Sequence, residues 1–261
     1  MISKELLLTI PELNLRGRIN SMTEGQVVSY VQSLNSFVDR FPSLAERLQH
    51  ALDGRAYQNL ADTLATTCDS LTKIHADELV KECRKHIATV KSANAASFNY
   101  DGFEAFVEDF IQRVSSMSIE VRMAAHKSVS GAAQWKRGSG SSGRGSVILA
   151  VDNAVMFLNT MQKYLKDDPY DLHCLTSCAE ALEYLDRNRP DAILLDVEMP
   201  EMDGYELARR IKSGGHKAPI IFITAHFDDK YVDKAIEVGA AGLLIKPLCP
   251  TKLREKLREV I

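Results

Sequence analysis

The residues of this 261-residue chain with the most chemical capacity lie far apart in sequence. Asp152 and Asn153 follow one short apolar run, Asp196 ends another, Thr224 a third, and Lys246 a fourth, directly before Pro247. Carboxylates, an amide oxygen, a hydroxyl and an ammonium assembled in one place could hold a hard divalent cation and receive an anionic group. Taken singly, each is an ordinary residue for the end of a strand, so its meaning depends on what the fold brings together. A second stretch, LATTCDSLTKIHADEL at 64–79, keeps apolar side chains at helical spacing around a small and polar centre, Ala65 to Ser70, which reads as exposed.

The elements that must position the first group alternate after residue 146. Short apolar runs at 147–151, 172–175, 192–195, 220–223 and 242–245 read as strands, and amphipathic segments at 155–165, 178–187, 205–212, 230–238 and 252–260 read as helices. Nearly unbroken apolarity suits parallel strands covered on both faces. This alternation predicts an α/β doubly wound parallel sheet, and such sheets bind ligands beyond the carboxyl ends of their strands. All the polar residues above would then meet in one crevice.

ILAVDN, ILLDVEMPEMDG, IIFITA and LLIKP occur there in order. Together they make residues 147–261 resemble the receiver domain of two-component response regulators. The resemblance implies a flavodoxin-like five-stranded sheet of order 2-1-3-4-5. It also implies that Asp196 accepts a phosphoryl group from a phosphohistidine donor, either a sensor histidine kinase or a phosphotransfer protein. Mg²⁺ would be held by Asp152, Asp196 and the backbone carbonyl of Glu198. Lys246 would contact the phosphoryl oxygens, and the Thr224 hydroxyl would move onto one of them as the switch; the lysine would be aimed by a cis bond to Pro247. Two departures from the family pattern stand out. Asn153 replaces the second acidic residue, leaving a neutral oxygen donor and a weaker metal site, and Leu243 stands where many receivers carry the aromatic that swings inward. His226 would edge the same crevice.

Residues 1–135 read as helical throughout. Apolar positions from Val27 to Leu52 form one stripe interrupted by Pro42, consistent with one kinked helix or two stacked ones, and Thr23 with Gln26 forms a capping box at its start. Three further stripes run through Leu60 and Leu71, Leu79 and Ile87, and Phe103 and Val121, predicting an antiparallel all-α bundle. Roughly residues 8–95 resemble a histidine phosphotransfer domain. Aligning His75-Ala76 with that family's Gly-Ala pair puts Ala65 at the histidine position, Cys68 at the lysine position and Asp69 at the docking glycine. The resemblance therefore implies a bundle that has kept its framework and lost its phosphoacceptor. An unrelated bundle, in which Ala65 is only a good helix former, is the competing reading. His50, His75, His86 and His126 remain as histidines that a relay would need, with His75 the foremost.

Composition narrows the remaining choices. Net charge is −3 from 32 basic and 35 acidic residues, which gives no drive toward nucleic acid or an anionic membrane. No segment reads as a signal peptide or membrane span, so a cytoplasmic location is expected. The five cysteines, at 68, 83, 174, 178 and 249, include no Cys-x-x-Cys and are expected to be reduced core thiols. KRGSGSSGRGS at 136–146 is a Gly/Ser-rich linker whose Gly/Ser part, 138–146, spans about 16 Å as a random coil, of a composition that an engineered join would also have. With the last predicted helix ending at 260, output is expected in the bundle or a partner, and no enzymatic activity beyond the receiver's own phosphorylation and dephosphorylation is expected. The expectation is a phosphorylation-dependent signalling protein whose bundle binds an unknown protein target or a second copy. A phosphate-independent scaffold and a relay through a bundle histidine are the alternatives.

Overall fold

The computed structural model describes every residue except 1, 3, 11, 16, 93–98, 131–144 and 227–228, so positions 136–144 of the Gly/Ser segment lie outside the described residues. The chain divides into two compact units, Met1–Ala132 and Ala133–Ile261.

The first unit is all helical. A short helix, α1 (Lys4–Leu7), and a 3₁₀ turn at Ile19–Ser21 precede α2 (Glu24–Asp53), α3 (Tyr57–Lys73), α4 (Asp77–Ser92) and α5 (Tyr100–Ser130). Thr23 starts α2 with the full capping box. The Gln26 N–H donates to Thr23 Oγ1 at 3.3 Å, and the Thr23 N–H donates to Gln26 Oε1 at 2.8 Å. Pro42 lies inside α2, which nevertheless continues as one helix. Three-residue connections at 54–56 and 74–76 turn the chain back on itself, so α3 packs on both α2 and α4, while α5 packs on α2. Leu34, Phe41, Leu48, Leu60, Leu64, Leu71, Phe110 and Val114 fill the centre, each at most 1% exposed. Both turns use a non-glycine residue in the left-handed region, Arg55 (φ 51°) and His75 (φ 59°).

The second unit holds β1 (Ser146–Val151), β2 (Tyr170–Leu175), β3 (Ala192–Asp196), β4 (Ile220–Thr224) and β5 (Gly242–Ile245) in one parallel sheet of order β2-β1-β3-β4-β5. Between and after them run α6 (Val155–Leu165), α7 (Cys178–Arg187), α8 (Gly204–Ser213), α9 (Asp229–Glu237) and α10 (Pro250–Val260). Strands β3 and β4 are buried at every residue. Strand β2 begins two residues before its apolar run, at Tyr170, because it is an edge strand and only half buried. Since all five strands run the same way, their carboxyl ends share one rim of the sheet.

The cysteines are all free, but they are not all core thiols. Cys68, Cys83 and Cys178 are buried, Cys174 is half-buried on the edge strand, and Cys249 is exposed as the N-cap residue of α10. Among the described residues no helix is long and apolar enough to cross a membrane.

Candidate phosphoacceptor site

The sheet brings together four of the five side chains selected from the second unit. In the ladder Asp196 pairs with Ile223 and Thr224 with Ile245, so carboxylate, hydroxyl and lysine end three adjacent strands. Lys246 Nζ lies 2.7 Å from Asp152 Oδ2 and 3.0 Å from Asp196 Oδ1. Both carboxylates are almost wholly buried, at 1% and 3% exposure, and Thr224 is fully buried. The second Asp152 oxygen accepts the Ala154 N–H at 2.7 Å. Asn153 is exposed beside this pocket, with its neighbour Asp152 turned inward.

Two carboxylates against one ammonium leave negative charge unmet in a buried place. Burial, followed by the charge of Asp152, pushes the Asp196 carboxyl up; the hydrogen bond and charge of Lys246 pull it back only in part. Burial acts to lower Lys246, but its hydrogen bonds and charge contacts with Asp152 and Asp196 outweigh it, so this ammonium is held above the usual lysine range. The lysine also lies 4.4 Å from the centroid of the Phe157 ring, on the first turn of α6. The Lys246–Pro247 bond is cis.

The run DVEMPEMDG has a mechanical explanation. Asp196 ends β3, and the chain turns so that Asp203 caps α8, its Oδ1 accepting the Glu206 N–H at 2.7 Å. The Gly204 N–H returns to the Val197 carbonyl at 2.9 Å. A side chain at 204 would place its Cβ 2.1 Å from the Asp196 carbonyl oxygen, so only glycine lets α8 approach the end of β3. Cys178 Sγ packs against Met199 Sδ at 3.9 Å from the neighbouring helix.

At the mouth of the pocket, His226 Nε2 meets Glu198 Oε1 at 2.7 Å, and the imidazole stacks on Tyr231 with centroids 4.5 Å apart and planes 10° from parallel. The His226 N–H donates to Thr224 Oγ1 at 3.0 Å. Sequence reading placed His226 at the crevice but not its bond to the Glu198 side chain, and it missed Phe157 and Tyr231. Phe157 could have been found from its place in the first turn after the Asp152 strand. Tyr231 gives no signal without the loop geometry.

Helix α3 does not hold its polar centre in solvent as expected. Thr67 is buried at 0% exposure, Cys68 is buried at 2% as expected of a core thiol, Ala65 is half-buried, and Asp69 is exposed. The hydroxyls of Thr63, Thr66, Thr67, Ser70 and Thr72 each donate to the carbonyl four residues back. That local bonding is what lets Thr63 and Thr67 turn inward. Cys83 Sγ, from α4, contacts the Leu64 carbonyl at 3.8 Å. His75 lies in the turn between α3 and α4, and Arg18 Nη1 lies 2.9 Å from its Nδ1. Guanidinium can only donate, so Nδ1 is the acceptor in this contact. Among the described residues no group of three or more His, Cys, Asp and Glu side chains could hold a metal ion.

Residues 148–258 match the family described as the response regulator receiver domain. Response regulator MprA of Mycobacterium leprae is 33% identical over 114 residues, 44% of this chain and 50% of MprA. Response regulator protein TodT of Pseudomonas putida is 32% identical over 120 residues, 46% of this chain and 53% of TodT. The chain thus spans about half the length of the curated relatives it matches. Among solved structures, the chemotaxis protein CheY4 of Vibrio cholerae is 29% identical with a TM-score of 0.43, the match covering 44% of this chain and 98% of CheY4. The family match lies wholly within the second unit, and residues 148–258 are a response regulator receiver domain.

Proposed function

We propose that the chain is a two-component signalling protein in which Asp196 is phosphorylated and the helical bundle binds a protein target without carrying phosphate. The observation that carries the first half is Lys246 bridging the buried carboxylates of Asp152 and Asp196 at the strand ends. A carboxylate oxygen of Asp196 forms the new O–P bond as the N–P bond of a donor phosphoimidazole breaks, and the imidazole leaves with a proton from solvent. The donor is the phosphohistidine of a sensor kinase or phosphotransfer protein in the cytoplasm. Lys246 neutralises the arriving phosphoryl oxygens, and the Thr224 hydroxyl donates to one of them once the acyl phosphate exists.

The unmet negative charge of the pocket fits a hard divalent cation such as Mg²⁺. Asp152, Asp196, the Glu198 carbonyl and the Asn153 amide oxygen would hold it. When bound, it screens the repulsion between the nucleophile and the anionic donor. With a neutral amide at 153, affinity for the cation should be lower than a second carboxylate would give. The test is Mg²⁺-dependent labelling of the full chain by acetyl phosphate. Labelling is expected to vanish in Asp196→Ala and in metal chelator, and to strengthen at low Mg²⁺ in Asn153→Asp. Absence of labelling under every condition would overturn the reading in favour of the phosphate-independent scaffold.

For the bundle, the phosphotransfer-like register gains support from His75. It falls where that family places glycine, and its φ of 59° is one that glycine adopts freely. Ala65 offers no nucleophile at the matching histidine position. Arg18 engages His75 Nδ1 in the turn between α3 and α4, away from the middle of α3 where the register places the phosphoacceptor, which argues against a relay through His75. Base-stable, acid-labile phosphate on residues 1–132 would reverse this conclusion.

A further inference from the structure

The receiver has no aromatic at 243; Leu243 is an aliphatic core residue on β5, 5% exposed and paired with Phe222. The other side of Thr224 is different. Its hydroxyl accepts the backbone N–H of His226, whose ring is fixed between the Glu198 carboxylate and the face of Tyr231 on α9. Tyr231 is in turn held at its backbone, because the hydroxyl of Tyr205, a buried residue on α8, donates to the Tyr231 carbonyl at 2.8 Å. Tyr205 packs on Phe222 with ring centroids 4.8 Å apart. These contacts form a continuous connection from the switch hydroxyl to the first turn of α9, made of one hydrogen bond and one stacked ring pair and braced by the bonds to Glu198 and from Tyr205.

We infer that His226 couples the Thr224 hydroxyl to α9 through Tyr231, and so performs the task that a rotating aromatic at 243 would otherwise perform. This rests on the reading of Asp196 as the phosphoacceptor. The two-state element is the hydroxyl itself. At rest it is the acceptor that closes a short turn onto the His226 N–H. Once it turns to a phosphoryl oxygen on Asp196, that turn loses its acceptor and His226 is held only by Glu198 and Tyr231. A change in His226 must then move or loosen the Tyr231 ring stacked 4.5 Å from it. Both the phosphoryl group and α9 bias one bistable contact, which is the physical requirement for coupling. His226 is thus a positioning residue rather than a participant in phosphoryl transfer.

The experiment uses the full chain with acetyl phosphate and Mg²⁺. Loading of Asp196 is read by intact mass, and the response of α9 by amide hydrogen exchange across 229–237. In the natural sequence loading should change α9 exchange by about fivefold or more, the lower bound of ordinary coupling. In His226→Ala loading should persist while the α9 response is lost, and His226→Phe, which keeps a stackable ring, should restore part of it. A full α9 response in loaded His226→Ala overturns the inference. If the natural sequence does not load at all, the phosphoacceptor reading fails, and the coupling is judged on the unphosphorylated protein. There Thr224→Ala should raise α9 exchange while Thr224→Ser, which keeps the hydroxyl, should not. Unchanged exchange in Thr224→Ala overturns it independently.

Discussion

The two units use their polar residues in opposite ways. In the receiver, Asp152, Asp196, Thr224 and Lys246 come from four separated strand ends, and two of the acids share one ammonium. In α3 of the bundle, five hydroxyl side chains bond to carbonyls of their own helix. The first arrangement leaves charge in a buried place with more demand than local partners can meet. In the second, these five hydroxyls are satisfied within their own helix. A density of Thr, Ser, Cys and Asp in one stretch is therefore a poorer guide to chemistry than four lone residues that the topology brings together.

The contrast can be broken most forcefully at Lys246. Lys246→Met leaves two buried carboxylates without their cation and should destabilise the receiver by about 4 kcal/mol, measured by denaturant unfolding followed with receiver-specific probes. A loss no larger than that of a surface change would mean that the pocket is not held by charge. In the bundle the comparable dependence is apolar. Leu64→Ala, at a site with no exposure, should cost about 3 kcal/mol of bundle stability while leaving Asp196 labelling intact. Removing the cap of α2 is milder, and Thr23→Ala should lower bundle stability by about 1 kcal/mol.

The pH dependence sharpens the same comparison. Asp196 is pushed above its ordinary value by burial and then by Asp152, so the native state favours its protonated form. Its favourable contribution is present in acid and is lost as pH rises through the elevated value. Asp196→Asn should therefore raise the receiver's thermal midpoint at neutral pH, and the gap to the natural sequence should close as pH falls through that range. A gap independent of pH would remove the charge explanation. The smallest effect is expected at Asp69, exposed on α3. Asp69→Ser should change bundle stability by less than about 0.5 kcal/mol, whatever it does to partner binding.

Much of the receiver was legible because its strands are short, apolar and bounded by polar residues that the parallel sheet aligns on one rim. The cis bond at Lys246–Pro247 followed from motif resemblance, whereas the close approach of Gly204 to the end of β3 emerged only from the structure. The Glu198–His226–Tyr231 cluster was not legible, because it joins two loops and a helix start whose side-chain directions no spacing encodes. In the bundle the helices and the capping box followed from periodicity. The middle of α3 was misread as exposed because threonine that bonds to its own helix can be buried as readily as a small apolar residue. Cys249 was misplaced for the converse reason: an apolar neighbourhood in sequence ended at a helix N-cap facing solvent.

The self-contained hydroxyls of α3 bear on how this protein can change over generations. Thr66 and Ser70 need nothing from a neighbouring helix, so drift at the exposed positions of α3 puts no buried group out of place. That surface could be altered there by successive single changes, each tolerated by the fold. The Asp196 pocket has no such latitude, since Gly204 and Lys246 are each tied to atoms on another element. Selection can thus alter the exposed face of α3 while leaving the Asp196 pocket almost untouched.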